Sequence, residues 1–315
     1  MKKGNVNVYK RAVCFIRPIE RGNEYWQRAI KGYGFVTEVP YIERNLVWRA
    51  AREAWFKLGL PKEIWFNKAI DDIDANVIIV KDVQICKEYL EWLRERKPVA
   101  RIILDYDNRV CNSIDPNAVK AIDIEKWTYD PDDAARYNMA LKEPAYMDCF
   151  RISEERREKA KKYDIVYVGR DKGRADYLFS LEEVFQKLGL STYFHISPTH
   201  RYQLALKRYY RPVIRYEEYL ELINKSTAIL NIMPDNQKAL TMRDFEAVYN
   251  GIKCITNNKA IRDFKLYEKS RFFIIGEDRM EDLPSFISAE FKPINEKRLE
   301  KYGFCSSLEK MINKR

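Results

Sequence analysis

The chain has 315 residues, of which 46% are hydrophobic and 13% aromatic, and a formal net charge of +10. This composition can build a large buried core and excludes disordered, fibrous and repeat proteins. No apolar run approaches the ~18 residues of a membrane span, and the first one is too short for a signal peptide, so we expect a soluble protein of the cytoplasm.

Six cysteines are scattered without a C-x-x-C pair, which favours buried free thiols in a reducing compartment. The chain has two histidines, His195 and His200, which argues against a His-rich zinc site. Residues 1–158 hold 28 Lys or Arg against 26 Asp or Glu, a net of +2, and the remainder holds 29 against 21, a net of +8. The basic second half suits a nucleotide diphosphate, an acidic membrane face or nucleic acid, or else is ordinary solubilising charge.

Strand-like and helix-like segments alternate in the first half. The predicted strands are 11–16, 77–80 and 100–104, and the predicted helices are 45–58 and 85–94. A glycine-containing stretch after the first strand is predicted to be rich in loops. Such alternation indicates an α/β domain with a parallel sheet.

Carboxylates follow the strand at 100–104. Asp105-x-Asp107 can hold a divalent ion on hard oxygen ligands, or can simply form a solvated turn. Further on, Asp130 is predicted to be the N-cap of a helix with Pro131 at its first position. Asp105, Asp107 and Asp130 are the candidates for a catalytic base in this half.

The segment 151–164 is highly charged and predicts an exposed helix or linker, with a domain boundary near Lys159. A strand at 164–168 then leads into Gly169-Arg170-Asp171-Lys172-Gly173-Arg174 and a helix that runs to Leu188. A strand, a basic glycine turn and a helix form a phosphate-binding geometry, although neither G-x-G-x-x-G nor a Walker A motif is present.

A strand at 192–196 carries His195 near its end. The segment 199–216 is basic and aromatic, and can stack bases, contact anionic lipid headgroups or form an ordinary helix and loop. A helix is predicted at 217–225.

The stretch 226–258 carries most information on function. It is predicted to form a strand at 228–233, a polar loop, a helix that Thr241 and Asp244 cap and that ends before Gly251, and a strand at 252–256. Free N–H groups at a helix start favour phosphate, Arg243 adds a bidentate donor, and Glu246 can accept hydrogen bonds from ribose hydroxyls. An exposed Arg243–Glu246 pair is the alternative interpretation.

A strand at 272–275 and a helical tail at 296–312 complete the pattern. The predicted fold class is α/β with two Rossmann-like domains. We expect an N-terminal domain at 1–158, a C-terminal domain at 159–290 and a C-terminal helix at 291–315 that crosses back.

Several of these segments together resemble a known family. Residues 168–174, Asn236-Gln237, residues 240–247 and residues 255–258 resemble the donor-binding half of bacterial GT-B glycosyltransferases, most of all the CgeB-like and the capsule and lipopolysaccharide biosynthesis enzymes. Residues 127–137 resemble the segment that precedes the interdomain linker in that group. The resemblance covers nearly all of the second domain and patches of the first.

This resemblance implies a GT-B-like fold whose parallel sheets face each other across a cleft. It implies a nucleotide-sugar donor, of UDP type, in the second domain and a saccharide or lipid-linked acceptor in the first, with no required cofactor. Glu246 would contact the ribose, and the other residues of the donor site would be Gly169, Arg170, Lys172, Arg174, His195, Lys238, Thr241 and Arg243. Ala239 stands where the family pattern has a glycine, which limits how closely the backbone approaches a phosphate.

In the implied chemistry, cations and helix N–H groups stabilise the charge that grows on the leaving diphosphate. An inverting enzyme also needs a base in the first domain, whereas a retaining one does not. An anionic membrane, at its inner face, is a further candidate partner. Two alternatives stay open: a metal-dependent GT-A transferase that uses Asp105 and Asp107, and a basic nucleic-acid-binding α/β protein that uses the segment 199–216.

Overall fold

The computed structural model describes residues 13–18, 24–42, 45–143, 145–157, 160–205, 207–233, 239–291 and 294–313. The chain divides into two compact units. One consists of Met1–Glu143 with Leu308–Arg315, and the other is Pro144–Ser307. Among the described residues, no helix has both the length and the apolar character needed to cross a bilayer.

The first unit is built on a parallel sheet. Its described strands are β1 (Val13–Ile16), β2 (Val36–Glu38), β3 (Val77–Lys81), β4 (Arg101–Tyr106), β5 (Glu125–Thr128) and β6 (Ala140–Leu141). They lie in the order β2-β1-β3-β4-β5-β6, and every pairing is parallel. All five residues of β3 are buried, as expected of a central strand that helices cover on both faces.

Helices of the first unit follow the strands. They are α1 (Glu24–Gly32), α2 (Leu46–Lys57), α3 (Lys87–Arg96) and α4 (Pro131–Tyr137). Asn45 caps α2, because its side chain accepts a hydrogen bond of 2.9 Å from the Trp48 amide. The C-terminal residues Leu308–Arg315 also belong to this unit, where the Arg101 guanidinium donates to the Met311 carbonyl at 3.0 Å.

The second unit repeats the same principle. Its described strands are β7 (Tyr163–Arg170), β8 (Thr192–Ser197), β9 (Ser226–Asn231), β10 (Lys253–Thr256) and β11 (Phe272–Ile274), in the order β11-β10-β9-β7-β8, all parallel. The helices are α5 (Ala175–Lys187), α6 (Tyr216–Asn224), α7 (Met242–Tyr249), α8 (Leu283–Ser288), α9 (Glu296–Glu300) and α10 (Phe304–Asn313), whose end lies in the first unit.

Short 3₁₀ helices fill several of the connections. They are Glu63–Trp65, Lys68–Asp72, Val110–Asn112, Asp148–Phe150, Glu154–Arg156, Arg201–Ala205, Lys259–Asp263 and Met280–Asp282.

Each sheet has a topological switch point, where the chain leaves neighbouring strands in opposite directions. In the first unit it lies between β1 and β3, and in the second between β7 and β9. Ligands of open α/β sheets bind outside the carboxyl ends of the strands at such a point. In the second unit the end of β7 leads into the basic glycine turn, and the end of β9 precedes α7 in the chain.

The observed elements differ from the predictions in several places. The stretch 24–38, predicted to be loop-rich, contains α1 and β2, and β5 and β6 had no predicted counterpart. In the segment 151–164, predicted to be a charged helix or linker, the described residues form a 3₁₀ turn, Glu154–Arg156, and the start of β7. The single helical tail is two helices, α9 and α10, separated near Gly303.

The observed division between the units falls at Glu143, whereas we predicted a boundary at residues 158/159. The residues in between bond to the second unit. The Ile152 amide donates to Asn250 Oδ1 at 2.8 Å, and Arg151 Nε donates to the Tyr249 carbonyl at 3.1 Å. Glu158 and Lys159 themselves lie outside the described residues.

Candidate functional site

The basic turn after β7 has an unusual backbone. Lys172 has φ +48° and Gly173 φ +78°, both in the left-handed region. Glycine adopts this conformation freely, but a residue with a Cβ does so at a cost of roughly 1–2 kcal/mol. The Lys172 amide donates to Thr199 Oγ1 at 2.8 Å, which holds this strained turn against the segment after β8.

Asp171 completes the turn by bonding to the start of α5. Its Oδ1 accepts hydrogen bonds from the amides of Arg174 (2.7 Å) and Ala175 (2.8 Å), and its Oδ2 accepts one from the Tyr210 hydroxyl at 2.5 Å. Burial acts to raise the pKa of Asp171, but these bonds outweigh it and lower that pKa. Because two amides of the α5 start are already bonded, an anion at this turn would depend mainly on side-chain cations.

Four cations converge at this turn. Burial lowers the pKa of Lys172, and the positive charges of Arg174, Arg170 and Arg243 lower it further. Arg174 donates to the Tyr167 hydroxyl at 3.4 Å and to the Ile232 carbonyl at the end of β9. The charges thus gather at the carboxyl edge of β7 and β9, which is the switch point of the sheet.

Arg243 joins α7 to the end of β7. Its guanidinium donates to the Val168 carbonyl, while its buried Nε has no hydrogen-bond partner among the described residues. Gly169 allows this approach, because a Cβ there would lie 2.7 Å from the Tyr167 hydroxyl oxygen and 3.2 Å from Arg243 Nη2. The two segments that we predicted to bind the donor are therefore neighbours in the fold.

The predicted capping box of α7 is present. The Thr241 amide donates to Asp244 Oδ2 at 2.7 Å, and the Thr241 hydroxyl donates to the same oxygen at 3.1 Å. From β9, Asn231 Nδ2 donates to Thr241 Oγ1 and to Asp244 Oδ1, both at 2.9 Å. These bonds fix the start of α7 against the central strand of the sheet.

Glu246 is only 2% exposed, so the alternative of an exposed Arg243–Glu246 pair is wrong. Its carboxylate accepts hydrogen bonds from the hydroxyls of Tyr216, at 2.8 Å, and Tyr219. Burial raises the pKa of Glu246, against the opposing effects of Arg243 and the two tyrosines. Sequence reasoning did not predict these tyrosines as partners, because they come from α6.

His195 takes no part in these contacts. His195 is buried in β8, and its Nε2 donates to the Pro212 carbonyl at 2.7 Å, which fixes the ring against the chain after β8. Burial lowers the pKa of this imidazole. Lys238 and Asn236-Gln237 lie outside the described residues, and the flagged Ala239 is buried at the start of the next described segment.

In the first unit, Asp105 and Asp107 take part in an ion cluster at the carboxyl edge of the sheet. Lys81 Nζ lies 2.6 Å from Asp105 Oδ2 and 3.0 Å from Asp107 Oδ1. Lys142 also pairs with both carboxylates. Burial acts to raise the pKa of Asp107, but Lys81, Lys142 and Arg17 outweigh it and hold that pKa well below its usual range.

Asp82, next to this cluster, was not singled out from the sequence. It is 2% exposed and accepts hydrogen bonds from the Asp107 amide at 3.0 Å and from Asn108 Nδ2 at 3.3 Å. Burial and the neighbouring Asp107 carboxylate raise its pKa. Its position after β3 puts it at the switch point of the first sheet.

The third candidate base, Asp130, has a structural role that we also predicted. It is the N-cap of α4, and its Oδ1 accepts from the amides of Asp132 and Asp133, both at 3.0 Å. Its other oxygen lies 3.2 Å from Arg109 Nε. Both carboxylate oxygens of Asp130 are therefore engaged, one in capping α4 and the other in an ion pair.

Comparisons with known proteins give matches in structure but none in sequence: no protein-family model and no curated protein matches the chain. The structure of a lipopolysaccharide outer core galactosyltransferase, WaaB, in its apo form, aligns over 96% of this chain and 98% of its own, with a TM-score of 0.50 at 13% identity. Anabaena HepE, in complex with UDP and glucose, aligns over 96% and 95%, with a TM-score of 0.52 at 6% identity. The chain has a GT-B-like fold.

The GT-B fold also hosts other chemistry. A putative UDP-N-acetylglucosamine 2-epimerase from Listeria monocytogenes aligns over 97% of this chain and 98% of its own, with a TM-score of 0.50 at 7% identity. At such identities the likeness concerns the fold alone, so function must be argued from the site. The predicted fold class, with two Rossmann-like domains and parallel sheets, is confirmed, and the CgeB-like subtype stays a prediction.

Two parallel-sheet units of a GT-B fold contradict the alternative of a GT-A fold. The ion cluster agrees with this, since the oxygens of Asp105 and Asp107 that a metal would need are already paired with Lys81 and Lys142. Within the described ranges, no group of three or more His, Cys, Asp or Glu side chains is arranged to hold a metal ion.

Proposed function

We propose that this protein is a glycosyltransferase that moves a sugar from a nucleoside diphosphate donor, of UDP type, to a saccharide or lipid-linked acceptor in bacterial surface polysaccharide synthesis. The observation that carries the proposal is that Arg170, Lys172, Arg174 and Arg243 gather at the switch point of the second sheet, where Arg174 and Arg243 both bond to backbone carbonyls at the end of β7. Arg243 itself lies one helical turn before the buried Glu246. A complex of HepE with UDP and glucose on the same fold supports the choice of donor.

The chemistry follows from charge. When the bond between the sugar C1 and the phosphate breaks, negative charge grows on the diphosphate, and cations that are already gathered stabilise it without reorganisation. Arg243 Nε, which has no partner among the described residues, and the strained turn at Lys172 fit a site that is completed by a ligand. Glu246, held by Tyr216 and Tyr219, keeps lone pairs that ribose hydroxyls can use.

For an inverting reaction, we propose Asp82 as the base in place of the three predicted residues. Asp105 and Asp107 are paired with lysines, and Asp130 caps a helix. Asp82 lies at the switch point of the first sheet, and burial and the Asp107 carboxylate raise its pKa, which favours a general base because such bases work best with a pKa near the working pH.

A thermal-shift panel of nucleotides and nucleotide sugars tests the donor site. UDP at 100 times its Kd should stabilise the wild type by about 2.7 kcal/mol, and Glu246→Ala should lose most of this effect. Glu183→Ala, an exposed glutamate of α5, is the matched control and should respond like the wild type. The proposal is overturned if no nucleoside diphosphate stabilises the wild type.

Transfer itself needs a second readout, because an epimerase of this fold would also bind UDP. We expect the bond between the sugar and the donor phosphate to break and the sugar to form a glycosidic bond to the acceptor, with inversion or retention of configuration at C1. If the donor sugar is only epimerised, the protein binds the proposed donor but is not a transferase.

A further inference from the structure

Arg174 differs from the other cations of the donor site in how its guanidinium is bonded. Its Nε donates to the Asp171 carbonyl at 3.2 Å, and its Nη2 donates to the Arg170 carbonyl at 3.0 Å. Nη2 also donates to the Tyr167 hydroxyl at 3.4 Å, and Nη1 donates to the Ile232 carbonyl. Nε, both N–H groups of Nη2 and one of Nη1 are thus directed at acceptors of the protein itself, which leaves a single donor over.

The acceptors of Arg174 belong to the two strands that flank the switch point of the second sheet. Tyr167 and Arg170 lie in β7, Asp171 lies in the turn that follows it, and Ile232 directly follows β9. The strands β7 and β9 are parallel neighbours. Arg174 therefore connects the basic turn to the end of the next strand, at the edge where an open α/β sheet binds its ligand.

The turn that Arg174 holds has a strained backbone, with φ +48° at Lys172. Such a conformation persists only where the surrounding contacts fix it. On one side of the turn, the Lys172 amide donates to Thr199 Oγ1 at 2.8 Å. On the other side, the Arg174 guanidinium bonds the carbonyls of Arg170 and Asp171. The positions of the Arg170 and Lys172 side chains thus depend on Arg174.

Arg170 and Lys172 are bonded far less than Arg174. Both residues are exposed, whereas Arg174 is half-buried. Arg170 Nη1 donates to the Thr199 carbonyl at 3.3 Å, and the Lys172 ammonium has no hydrogen bond or ion pair with any residue that the structure describes. Partial burial of this ammonium and the neighbouring arginines lower its pKa. An anion beside Lys172 would offset the repulsion between these cations.

We infer that Arg174 is a positioning residue of the donor site, which holds the turn so that Arg170 and Lys172 meet the diphosphate, and that it does not bind the diphosphate itself. To bind a phosphate, Arg174 would have to give up bonds to carbonyls that have no water in their place, whereas the two exposed cations lose little. The inference rests on the proposed donor site and separates the cations that bind from the one that positions them.

A double-mutant cycle on UDP affinity, measured by isothermal titration of the full chain, tests this inference. Arg174→Lys keeps the charge but not the planar set of N–H donors that reaches several carbonyls at once. We expect it to weaken UDP binding by about tenfold or more, because a displaced turn loses charge-assisted bonds to the diphosphate. In the background of Arg170→Gln with Lys172→Gln it should weaken binding by less than about twofold, because the residues through which it acts are gone.

Thr199→Val loosens the same turn without changing a cation, and it carries the same cycle if Arg174→Lys does not fold. It should weaken UDP binding by about fivefold, and this effect should also disappear in the background of Arg170→Gln with Lys172→Gln. Two matched controls should bind UDP like the wild type. They are Thr192→Val, at the start of β8, and Arg208→Lys, at an exposed arginine.

Melting temperatures without UDP give a readout that does not depend on binding. Arg174→Lys should melt about 3 °C or more below Arg208→Lys, because backbone carbonyls at the switch point lose their donors. Equal melting temperatures of these two variants would overturn the inference.

The cycle also separates this inference from the proposed function. If Arg174→Lys weakens UDP binding equally in both backgrounds, Arg174 contacts the diphosphate itself, and the inference is overturned while the donor site stands. UDP binding by Arg174→Lys and Thr199→Val that equals the wild type overturns it as well. If the wild type binds no UDP, the proposed function is overturned and the inference with it.

Discussion

At the residue scale, the candidate site depends on how single side chains are held. Glu246 sits between two tyrosine hydroxyls, and Gly169 leaves room for Arg243 against the end of β7. Asp82 is buried beside a cluster whose other carboxylates are paired with lysines. In each case a polar group in a low-dielectric environment has fixed partners, which is the condition for preorganised binding.

Gly169→Ala tests the close approach at β7. The new Cβ would lie 2.7 Å from the Tyr167 hydroxyl oxygen and 3.2 Å from Arg243 Nη2, so both side chains must shift. We expect a loss of about 1–3 kcal/mol in the free energy of unfolding, measured by urea denaturation, and weaker UDP binding. Gly32→Ala, where a Cβ meets nothing within 4 Å, is the control. Equal stability of the two variants would contradict this packing.

Asp82→Asn tests the raised pKa of this buried carboxyl. Its pKa is higher in the folded state than in the unfolded state, so the folded state binds more protons between the two values. The wild type therefore loses stability as the pH rises from about 3.9 through the folded-state pKa. The asparagine does not titrate, so the melting temperature of the variant, relative to the wild type, should increase over that range.

The same variant separates binding from chemistry. If Asp82 is the base, Asp82→Asn should keep UDP binding and lose transfer by about 100-fold or more. A pH-independent difference in melting temperature would refute the raised pKa, and undiminished transfer would refute the role as base.

At the element scale, the start of α7 links sequence to site most clearly. A capping box could be predicted from Thr241 and Asp244 because its residues are three apart in the chain. The hydrogen bond from Asn231 to Thr241 could not be predicted, because it depends on the position of β9 in the sheet. Local motifs were thus predictable, and partners from other elements were not.

Thr241→Val tests the anchoring of this helix. The substitution keeps the shape but removes the hydroxyl that donates to Asp244 Oδ2 at 3.1 Å and accepts from Asn231 at 2.9 Å. We expect a cost of about 1–2 kcal/mol, measured as a lower urea midpoint with an unchanged m-value. A midpoint equal to that of the wild type would show that α7 does not depend on this cap.

The elements themselves were predictable where the sequence carries a strong pattern. Buried strands such as β3 and β9 are continuous apolar runs, and α5 has clear helical periodicity with a glycine after its C-cap. The missed helix α1 lies in a segment with several glycines, and the missed strand β5, Glu125–Thr128, carries charges at its exposed start. In these segments the local sequence pattern is weak or contradictory, and tertiary contacts determine which secondary structure forms.

At the scale of the whole molecule, alternating strands and helices were sufficient to predict two Rossmann-like domains, because parallel strands require crossover helices. The division between the units was less predictable. Residues 145–157 contain charged residues that suggest a linker, but the Arg151 side chain bonds to the Tyr249 carbonyl and the Ile152 amide bonds to the Asn250 side chain. The candidate site could be predicted in part: the basic turn and α7, both singled out from the sequence, are neighbours, whereas the positions of Tyr216, Tyr219 and Asp82 follow only from the fold.

The nucleic-acid alternative stays a prediction at this scale. In the segment 199–216, Tyr210 is bonded to Asp171, and the Tyr209 ring packs on Phe179 at 4.9 Å between centroids. These aromatic rings contribute to the second unit itself. Binding to oligonucleotides with a steep salt dependence, and without any affinity for UDP, would support that alternative.

The central claim is that the cations around Lys172 bind the diphosphate of a nucleotide. Isothermal titration of UDP and UMP into the wild type and into Arg170→Gln with Lys172→Gln tests it most directly, with Lys187→Gln, exposed at the far end of α5, as the control. We predict that the wild type and the control bind UDP at least tenfold more tightly than UMP, because each charge-assisted bond contributes about 1.5–3 kcal/mol, and that the double variant loses this preference. Equal affinities for UDP and UMP in the wild type, or a preference that survives in the double variant, would contradict the account.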